Sequence, residues 1–287
     1  MEALRSEFRW QKFGFGGVSV KAFVSPQFLW SQHQSLFIAF RVLVAVYQLA
    51  WNITVPIIWG HPSFYRRAVD NQAKWLIYLS NWSFCVLTLY LVTAAVSLVA
   101  HRRQTQRQVA DVNELVIGPL ENGAILNNQP QLEENTPLPW YFKLTWLLQN
   151  IAYSACAFVT AGYWLVEFQP GFTIVQIFTI HVHGISLIIA LADLIVAAPP
   201  IRLLHFVYPY SYFLLYQLFA LIYYKSGGTN PYGGTHIYKS FIDWENAPTT
   251  SLIILLLGTV AAAPCLHGLL FALDKLRNKV AEKCCAT

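Results

Sequence analysis

The stretch FTIVQIFTIHVHGISLIIALADLIVAAPPIRLLHF, at Phe172–Phe206, decides the fold of this chain. Its apolar part, residues 173–198, exceeds the roughly 20 residues that a helix needs to cross the hydrocarbon core of a bilayer. The run nevertheless contains side chains that are costly in hydrocarbon, namely His181, His183, Ser186 and Asp193. Such groups usually face the interior of a helix bundle, where they mark a functional site or a buried structural contact. The stretch therefore predicts a spanning helix inside a bundle.

The composition indicates a helical membrane protein with several spans. The 287 residues are 56% hydrophobic and only 11% charged, whereas soluble domains carry about 25% charged residues. Ten tryptophans and 15 tyrosines fit the aromatic belts at the two membrane surfaces. Orientation in a bilayer, the expected partner, accounts for the net charge of +5, and no nucleic-acid partner is predicted.

Six apolar stretches predict an all-α bundle of six transmembrane helices. They cover residues 36–58, 74–100, 140–166, 173–198, 203–224 and 250–273. This membrane domain, residues 36–273, follows a basic and aromatic segment, residues 1–35, which we expect to lie as a cytosolic amphipathic segment against the membrane surface. Residues 101–139 are polar and predict a flexible cytosolic loop. Residues 274–287 form a basic tail.

The distribution of lysine and arginine predicts the orientation. Six spans put both termini on one side, where twelve basic residues fall, against five on the other. The richer side is the cytosolic one, so both termini are predicted to be cytosolic. Cys284 and Cys285 follow a spanning helix and a basic stretch, a setting that suits S-palmitoylation and equally two free thiols. The plasma membrane and the endoplasmic reticulum both remain open as locations.

His183 is the polar residue in the membrane for which a functional role weighs as much as a structural one. Counted from the outer end of its helix, it lies about 15 Å deep, near the midplane. Together with Ser186 and Asp193 it forms a polar stripe at helical spacing, and such a face packs on neighbouring helices. His181 lies about 200° away around a regular helix and is expected to be a structural hydrogen bonder. The two histidines cannot share a metal ion, and we predict neither a metal site nor a cofactor.

Two further groups of polar residues lie inside the predicted spans. Asp193 is at a depth similar to that of Arg41 and Arg202, and a salt bridge that fixes helix packing is favoured over a catalytic carboxylate. Ser80 and Asn81 lie within one or two turns of the depth of His183. A hydroxyl and an imidazole in a dry pocket are the minimum for nucleophilic catalysis, although serine and asparagine also simply join helices.

Three stretches together resemble the Rolling stone family. They are KWLIYLSNWSF at residues 74–84, HVHGISLIIALADLIVAAPPIRLLHFVYP at 181–209 and SGGTNPYGGTHIYKSFIDWEN at 226–246, and the likeness runs over residues 36–275. The resemblance implies a multi-pass membrane protein that acts in membrane or cell–cell fusion, as in myoblasts. It also implies an ordered outer loop over residues 227–246, which would be a packed cap or a lid over a ligand.

The Rolling stone family is in turn distantly similar to the androgen-induced membrane hydrolases, which cleave fatty acid esters of hydroxy fatty acids with a threonine nucleophile and a histidine. That histidine falls on His183. An alignment without gaps puts Ile77 at the threonine, and a shift of three residues puts Ser80 there. The resemblance thus implies an alternative function, an intramembrane esterase with a lipid ester as its ligand. A proton or solute pathway through His183, Asp193 and His267 ranks last, because apolar residues fill the turns between them.

Overall fold

Six helices, numbered α1 to α6 in chain order, carry the predicted apolar stretches. They are α1 Gln34–Ile58, α2 Leu79–Val116, α3 Trp140–Gly162, α4 Ile177–Val196, α5 Val207–Lys225 and α6 Pro248–Cys284. The computed structural model describes residues 6–28, 34–61, 71–116, 137–170, 176–238 and 242–285, and for residues 112–116 and 285 only the backbone. No strand forms within these ranges, and the predicted all-α class is confirmed.

Five of the described helices, all except α3, are long and apolar enough to cross a membrane. Helix α3 has 23 residues, which at about 1.5 Å per residue is also a spanning length. It carries buried polar side chains such as Gln149 and Asn150, and it packs against α2, α4, α5 and α6. The predicted third span is thus the helix in the middle of the bundle, which explains why its composition is the least lipid-like.

Helix α2 differs from its prediction at both ends. A 3-10 helix at Gln72–Ile77 precedes it, and the Asn71 side chain caps that short helix by accepting a hydrogen bond from the backbone of Ala73. At its other end α2 continues to Val116, which corrects the predicted loop for residues 101–116. That segment is polar but contains neither glycine nor proline, so it forms a helix that projects from the bundle. Residues 117–136 of the predicted loop lie outside the described residues.

Three π-helical turns interrupt the regular helices. They lie at Tyr163–Glu167 directly after α3, at His181–Ile185 within α4 and at Gly258–Ala262 within α6. A π turn inserts an extra residue into the helix and shifts the faces on its two sides relative to each other, and such turns are frequent at functional sites. In α4 the shift falls between His183 and Asp193, which the sequence had placed on one stripe.

The N-terminal segment packs into the end of the bundle where α4 ends and α5 begins. Phe15 stacks on the Tyr208 ring, with 5.3 Å between the ring centroids, and Phe23 is buried against Phe142 and Trp146. The sequence predicted that this segment lies on the membrane surface. The structure differs, because the side chains of Phe15 and Phe23 pack against the bundle. Phe8 and Trp10, in contrast, are 61% and 86% exposed.

Arg202 joins the N-terminal segment to the bundle. Its guanidinium donates hydrogen bonds to the backbone oxygens of Gly14 and Gly16, at 2.6 and 2.7 Å, and lies 4.7 Å from the centre of the Trp146 ring. The sequence left Arg202 open as a partner of Asp193, and the structure excludes that pair. Since Lys275 of α6 also pairs with Glu7, the N-terminal segment and the end of α6 lie at the same end of the bundle, as six spans require.

Two ion pairs are buried in the half of the bundle nearest to the termini. Arg41 of α1 donates to Asp193 of α4 over 2.6 Å, and both side chains are almost fully enclosed. On α6, Arg277 donates to Asp274 over 2.6 Å and also to the backbone oxygen of Leu194. Because the last turn of α4 takes part in both, these pairs fix α4 between α1 and α6.

Candidate functional site

A cavity of about 580 Å³ opens between α3, α5 and α6 in the half of the bundle away from the termini. We call it the membrane cavity. Its walls are residues from 158–167, 213–217 and 254–266, together with Leu79, Ser80, His183, Tyr238 and Ile242. Three of these wall residues, Leu165, Val166 and Leu257, are 83%, 52% and 60% exposed on the outside of the bundle. Apolar side chains exposed on the outside of a helical membrane bundle are expected to contact lipid, so we expect the mouth of the cavity to face the bilayer.

A second space of about 320 Å³ lies beneath the outer loop, and we call it the loop chamber. Its lining is more polar and more aromatic than that of the membrane cavity. The polar side chains are Ser80, Asn81, Glu167, Thr179, His183, Asn230 and His236, and the large aromatic ones are Trp59, Trp75, Tyr78, Tyr163, Phe178, Tyr232 and Tyr238.

The membrane cavity and the loop chamber share one wall. Five residues line both spaces, namely Ser80, Tyr163, Glu167, His183 and Tyr238. They come from four separate parts of the chain: the first turn of α2, the π turn after α3, the π turn of α4 and the outer loop. The two residues that the sequence singled out for nucleophilic catalysis, Ser80 and His183, are therefore placed on the same wall.

His183 is held by the π turn that follows α3. Its imidazole stacks on the Tyr163 ring, with 4.0 Å between the ring centroids and 10° between the planes. The indole N–H of Trp164 donates to the His183 backbone oxygen over 2.8 Å. The Nδ1 atom of the imidazole is buried without a hydrogen-bond partner. The ring is thus fixed in orientation, while one of its nitrogens is available to a ligand.

Ser80 lies in the first turn of α2, where the helix dipole places partial positive charge. Its hydroxyl is hydrogen-bonded with the phenol of Tyr238 rather than with the imidazole of His183. The same phenol oxygen accepts a hydrogen bond from the backbone N–H of Leu79 over 2.8 Å. Burial raises the pKa of Tyr238 to about 12, so the phenol keeps its proton at neutral pH.

The outer loop is ordered around the buried side chain of Asn230. Its amide oxygen accepts from the backbone N–H groups of Tyr232 and Gly234 over 2.8 and 3.0 Å, and its amide nitrogen donates to the His236 oxygen. Glycine is required at Gly233, where the backbone φ is +87°. The ammonium of Lys74 donates to the Thr229 hydroxyl over 2.7 Å, which ties the loop to the segment before α2. These contacts agree with the prediction of an ordered loop for its described residues, 227–238 and 242–246, while residues 239–241 lie outside the described part of the chain.

The other polar residues named from the sequence lie apart from His183. His181 is fully buried and stacks on Trp51 of α1, with 4.2 Å between the ring centroids. Neither of its ring nitrogens has a hydrogen-bond partner among the described residues, so the prediction that His181 is a structural hydrogen bonder is wrong, and its contacts are ring packing. The Ser186 hydroxyl donates to the backbone oxygen of His181 over 3.0 Å. The Asp193 carboxylate accepts from Arg41 and from the phenols of Tyr90 and Tyr153. His181 and Asp193 therefore join α4 to other helices, while the Ser186 hydrogen bond lies within α4.

Asn81 is the one residue of the predicted polar core that borders the site. Its amide nitrogen donates to the backbone oxygen of Trp75 over 2.6 Å, and its side chain lines the loop chamber. His267, the far end of the pathway alternative, is hydrogen-bonded with Ser154 and with the backbone oxygen of Arg202. Its contacts therefore belong to the half of the bundle nearest to the termini.

Sequence reasoning missed three residues of the shared wall, Tyr163, Glu167 and Tyr238. Glu167 has a buried carboxylate oxygen, Oε2, with no hydrogen-bond partner among the described residues. The only signal in the sequence was that Glu167 begins the turn EFQPG between two predicted spans, where a charged residue is ordinary. Within the described ranges, no group of three or more histidine, cysteine, aspartate or glutamate side chains is arranged to hold a metal ion.

Comparison with known proteins bears directly on the identity of the chain. The family model described as Protein rolling stone matches residues 1–285. The chain belongs to the Rolling stone family. Among curated proteins, Protein rolling stone of Drosophila melanogaster is 25% identical over 282 residues, which cover 96% of this chain and 90% of the relative. No solved structure gives a significant match.

The stretches that carried the resemblance to the Rolling stone family converge on the shared wall. Residues 74–84 contribute Ser80, residues 181–209 contribute His183 and residues 226–246 contribute Tyr238. These stretches are far apart in the chain, and the bundle brings them together at one place. For this member of the Rolling stone family, the wall between the membrane cavity and the loop chamber is therefore the candidate functional site.

Proposed function

We propose that this protein acts in membrane or cell–cell fusion, as the resemblance to the Rolling stone family implies, and that it does so by binding an acyl lipid. The observation that carries the proposal is the membrane cavity, whose mouth is lined by exposed apolar side chains at the depth of the acyl chains. Merging two bilayers requires lipids to leave their planar arrangement. A protein that takes an acyl chain out of the leaflet nearest to the opposing cell acts at the place where that rearrangement begins.

Filling the membrane cavity is expected to impair fusion. Gly162 lines the cavity, and a Cβ added there meets no atom within 4 Å, so the side chain of Gly162→Leu starts in open space at the cavity wall. Gly268→Leu is the matched control, because that helical glycine has equally open surroundings and does not line the cavity. We expect Gly162→Leu to lower the transfer of a split cytosolic reporter between co-cultured muscle precursor cells several-fold.

Both variants are compared at equal amounts on the cell surface. Gly268→Leu is expected to fuse cells like the wild type. Fusion that is equally efficient with Gly162→Leu would mean that the cavity plays no part in the fusion role.

The second candidate function is hydrolysis of a lipid ester within the membrane. It is favoured by one observation, that Ser80 and His183 line the same wall between an apolar and a polar space. In this reaction the Ser80 hydroxyl attacks the ester carbonyl while the His183 imidazole takes its proton. The imidazolium then gives that proton to the departing alcohol, and water releases the fatty acid from the acyl-serine. For the attack, Ser80 exchanges its hydrogen bond with Tyr238 for one with His183.

Labelling with a fluorophosphonate probe tests the esterase. We expect the purified wild type to be labelled and Ser80→Ala to lose the label completely. His183→Phe is expected to lose most of it, since phenylalanine keeps the ring stacked on Tyr163 and removes the base. Ser97→Ala is the control, because Ser97 is also buried in α2 but bonds with Thr145, away from both spaces. A folded wild type that takes up no label, or Ser80→Ala that is labelled as strongly, would contradict the esterase.

A further inference from the structure

The loop chamber is surrounded by aromatic rings. Five of them come from four separate segments, namely the residue after α1, the 3-10 helix before α2 with the residue that follows it, the π turn after α3, and the outer loop. They are Trp59, Trp75, Tyr78, Tyr163 and Tyr232. Rings from so many segments enclose the chamber from several sides, which is more than the aromatic belt of a membrane surface requires.

A single acidic side chain borders the chamber. Glu167 carries a buried carboxylate oxygen that has no hydrogen-bond partner among the described residues. No lysine or arginine is found among the described lining residues. Lys74 is the basic residue on the nearby segment before α2, and its ammonium donates to Thr229 and to the Asn230 backbone oxygen of the loop. Among its described lining residues, the chamber thus offers the carboxylate of Glu167 and no lysine or arginine.

Aromatic faces together with a carboxylate are the chemistry that recognises a quaternary ammonium. A trimethylammonium group has no N–H to donate, so it gains little from hydrogen-bond acceptors and much from ring faces and a nearby anion. A primary ammonium is more strongly hydrated, and its three N–H donors need several acceptors at once, whereas the ring faces that make up much of the lining supply none. An anionic headgroup without a cation would be repelled by Glu167.

The position of the chamber indicates what the ammonium belongs to. The chamber adjoins the membrane cavity across the wall formed by Tyr163, Glu167 and His183. One space is apolar and open to lipid, and the other is aromatic and acidic beneath the outer loop. We propose that the two spaces together bind a choline-headed lipid, with its trimethylammonium group in the loop chamber and an acyl chain in the membrane cavity. This inference rests on the proposed function in lipid binding and names the class of lipid.

Competition between headgroups tests the proposal. The full-length protein, purified in detergent micelles, is offered an equimolar mixture of lysophosphatidylcholine, lysophosphatidylethanolamine and lysophosphatidylglycerol with the same acyl chain, and bound lipid is read out by native mass spectrometry. We expect lysophosphatidylcholine to be bound at least about tenfold more than either of the others, since desolvated cation–π contacts contribute about that much.

Two variants connect the preference to the chamber. Glu167→Gln and Tyr232→Leu are expected to reduce the choline preference several-fold while lipid still binds. Tyr232 is 53% exposed, so its replacement does not disturb a core. Glu282→Gln is the matched control. Glu282 is an exposed glutamate near the C-terminal end of α6, at the end of the bundle away from the loop chamber, and this variant is expected to keep the full choline preference.

The possible outcomes distinguish a failure of the choline assignment from a failure of the proposed lipid-binding function. Equal binding of the three lipids that is lost in Gly162→Leu would overturn the choline assignment and leave the acyl-lipid function standing. A wild type that is folded and binds none of them would overturn both. A choline preference that persists unchanged in Glu167→Gln and Tyr232→Leu would also contradict the chamber as the headgroup site.

Discussion

Replacing Asp193 by asparagine is expected to lower the free energy of unfolding by about 3–5 kcal/mol, because removing one charge of a buried ion pair leaves the other uncompensated. The substitution keeps the size of the side chain. Arg41, whose guanidinium lies 2.6 Å from Asp193 and is almost fully enclosed, then carries a buried charge whose described hydrogen-bond acceptors, the new amide oxygen and the phenol of Tyr90, are neutral. The measurement is an unfolding titration of the purified protein in mixed micelles with increasing sodium dodecyl sulfate.

The control and the rescue make the test specific. Asp111→Asn changes an exposed residue on the projecting end of α2 and is expected to leave the stability unchanged. The double variant Arg41→Met with Asp193→Leu is expected to recover most of the loss, since well-packed apolar residues often replace a buried pair without cost. In that variant the phenols of Tyr90 and Tyr153, 3.3 Å apart, can bond with each other. An Asp193→Asn protein as stable as the wild type would contradict the structural role of the pair.

Arg202→Ala is expected to release the N-terminal segment from the bundle. The substitution removes two hydrogen bonds from a charged group to the backbone oxygens of Gly14 and Gly16, each contributing about 1.5–3 kcal/mol, together with the contact on Trp146. Limited proteolysis with trypsin measures the result. Cleavage after Lys12 and Lys21 is expected to become at least tenfold faster, since an effect of about 1.4 kcal/mol already changes a local opening equilibrium tenfold.

Two comparisons show that the geometry of Arg202 matters as well as its charge. Arg202→Lys keeps the charge but cannot reach both oxygens with a planar fork, so intermediate cleavage rates are expected. Arg107→Ala removes an exposed arginine from the same end of the bundle and is expected to have no effect. Unchanged cleavage in Arg202→Ala would mean that Phe15 and Phe23 hold the segment without the arginine.

The fold was predictable because apolar length and polar interruptions are local properties of the sequence. The six helices follow from runs longer than a bilayer requires. Matched depth predicted a salt bridge of Asp193 but not its partner, because Arg41 and Arg202 are at similar depth; the structure pairs Asp193 with Arg41. The loop predicted from residue 101 was partly misplaced, because polarity marks exposure to water and not the absence of a helix. Residues 101–116 are helical, and most of the side chains of residues 101–111 are exposed.

The site was only half predictable. Ser80 and His183 could be placed at similar depth. The π turn at His181–Ile185, which turns His183 away from Ser186, could not be predicted from the periodicity of apolar residues in the sequence. Glu167 was hidden for a different reason, since a glutamate between two spans ordinarily faces water. In the structure it lies instead on the wall shared by the two spaces, with one carboxylate oxygen buried. The enclosure of Phe15 by Trp146 and Tyr208 likewise depends on contacts between distant segments.

Photo-cross-linking with an acyl lipid is the most direct test of whether the membrane cavity holds an acyl chain. A lipid ester with a diazirine in its acyl chain is activated in membranes that contain the full-length protein, and the modified peptides are mapped. We expect adducts concentrated on residues 158–166 and 254–266 of the cavity walls, and reduced in Gly162→Leu but not in Gly268→Leu. Adducts spread evenly over exposed apolar residues such as Leu43 and Ile53 of α1, with no enrichment at the cavity, would contradict the lipid site.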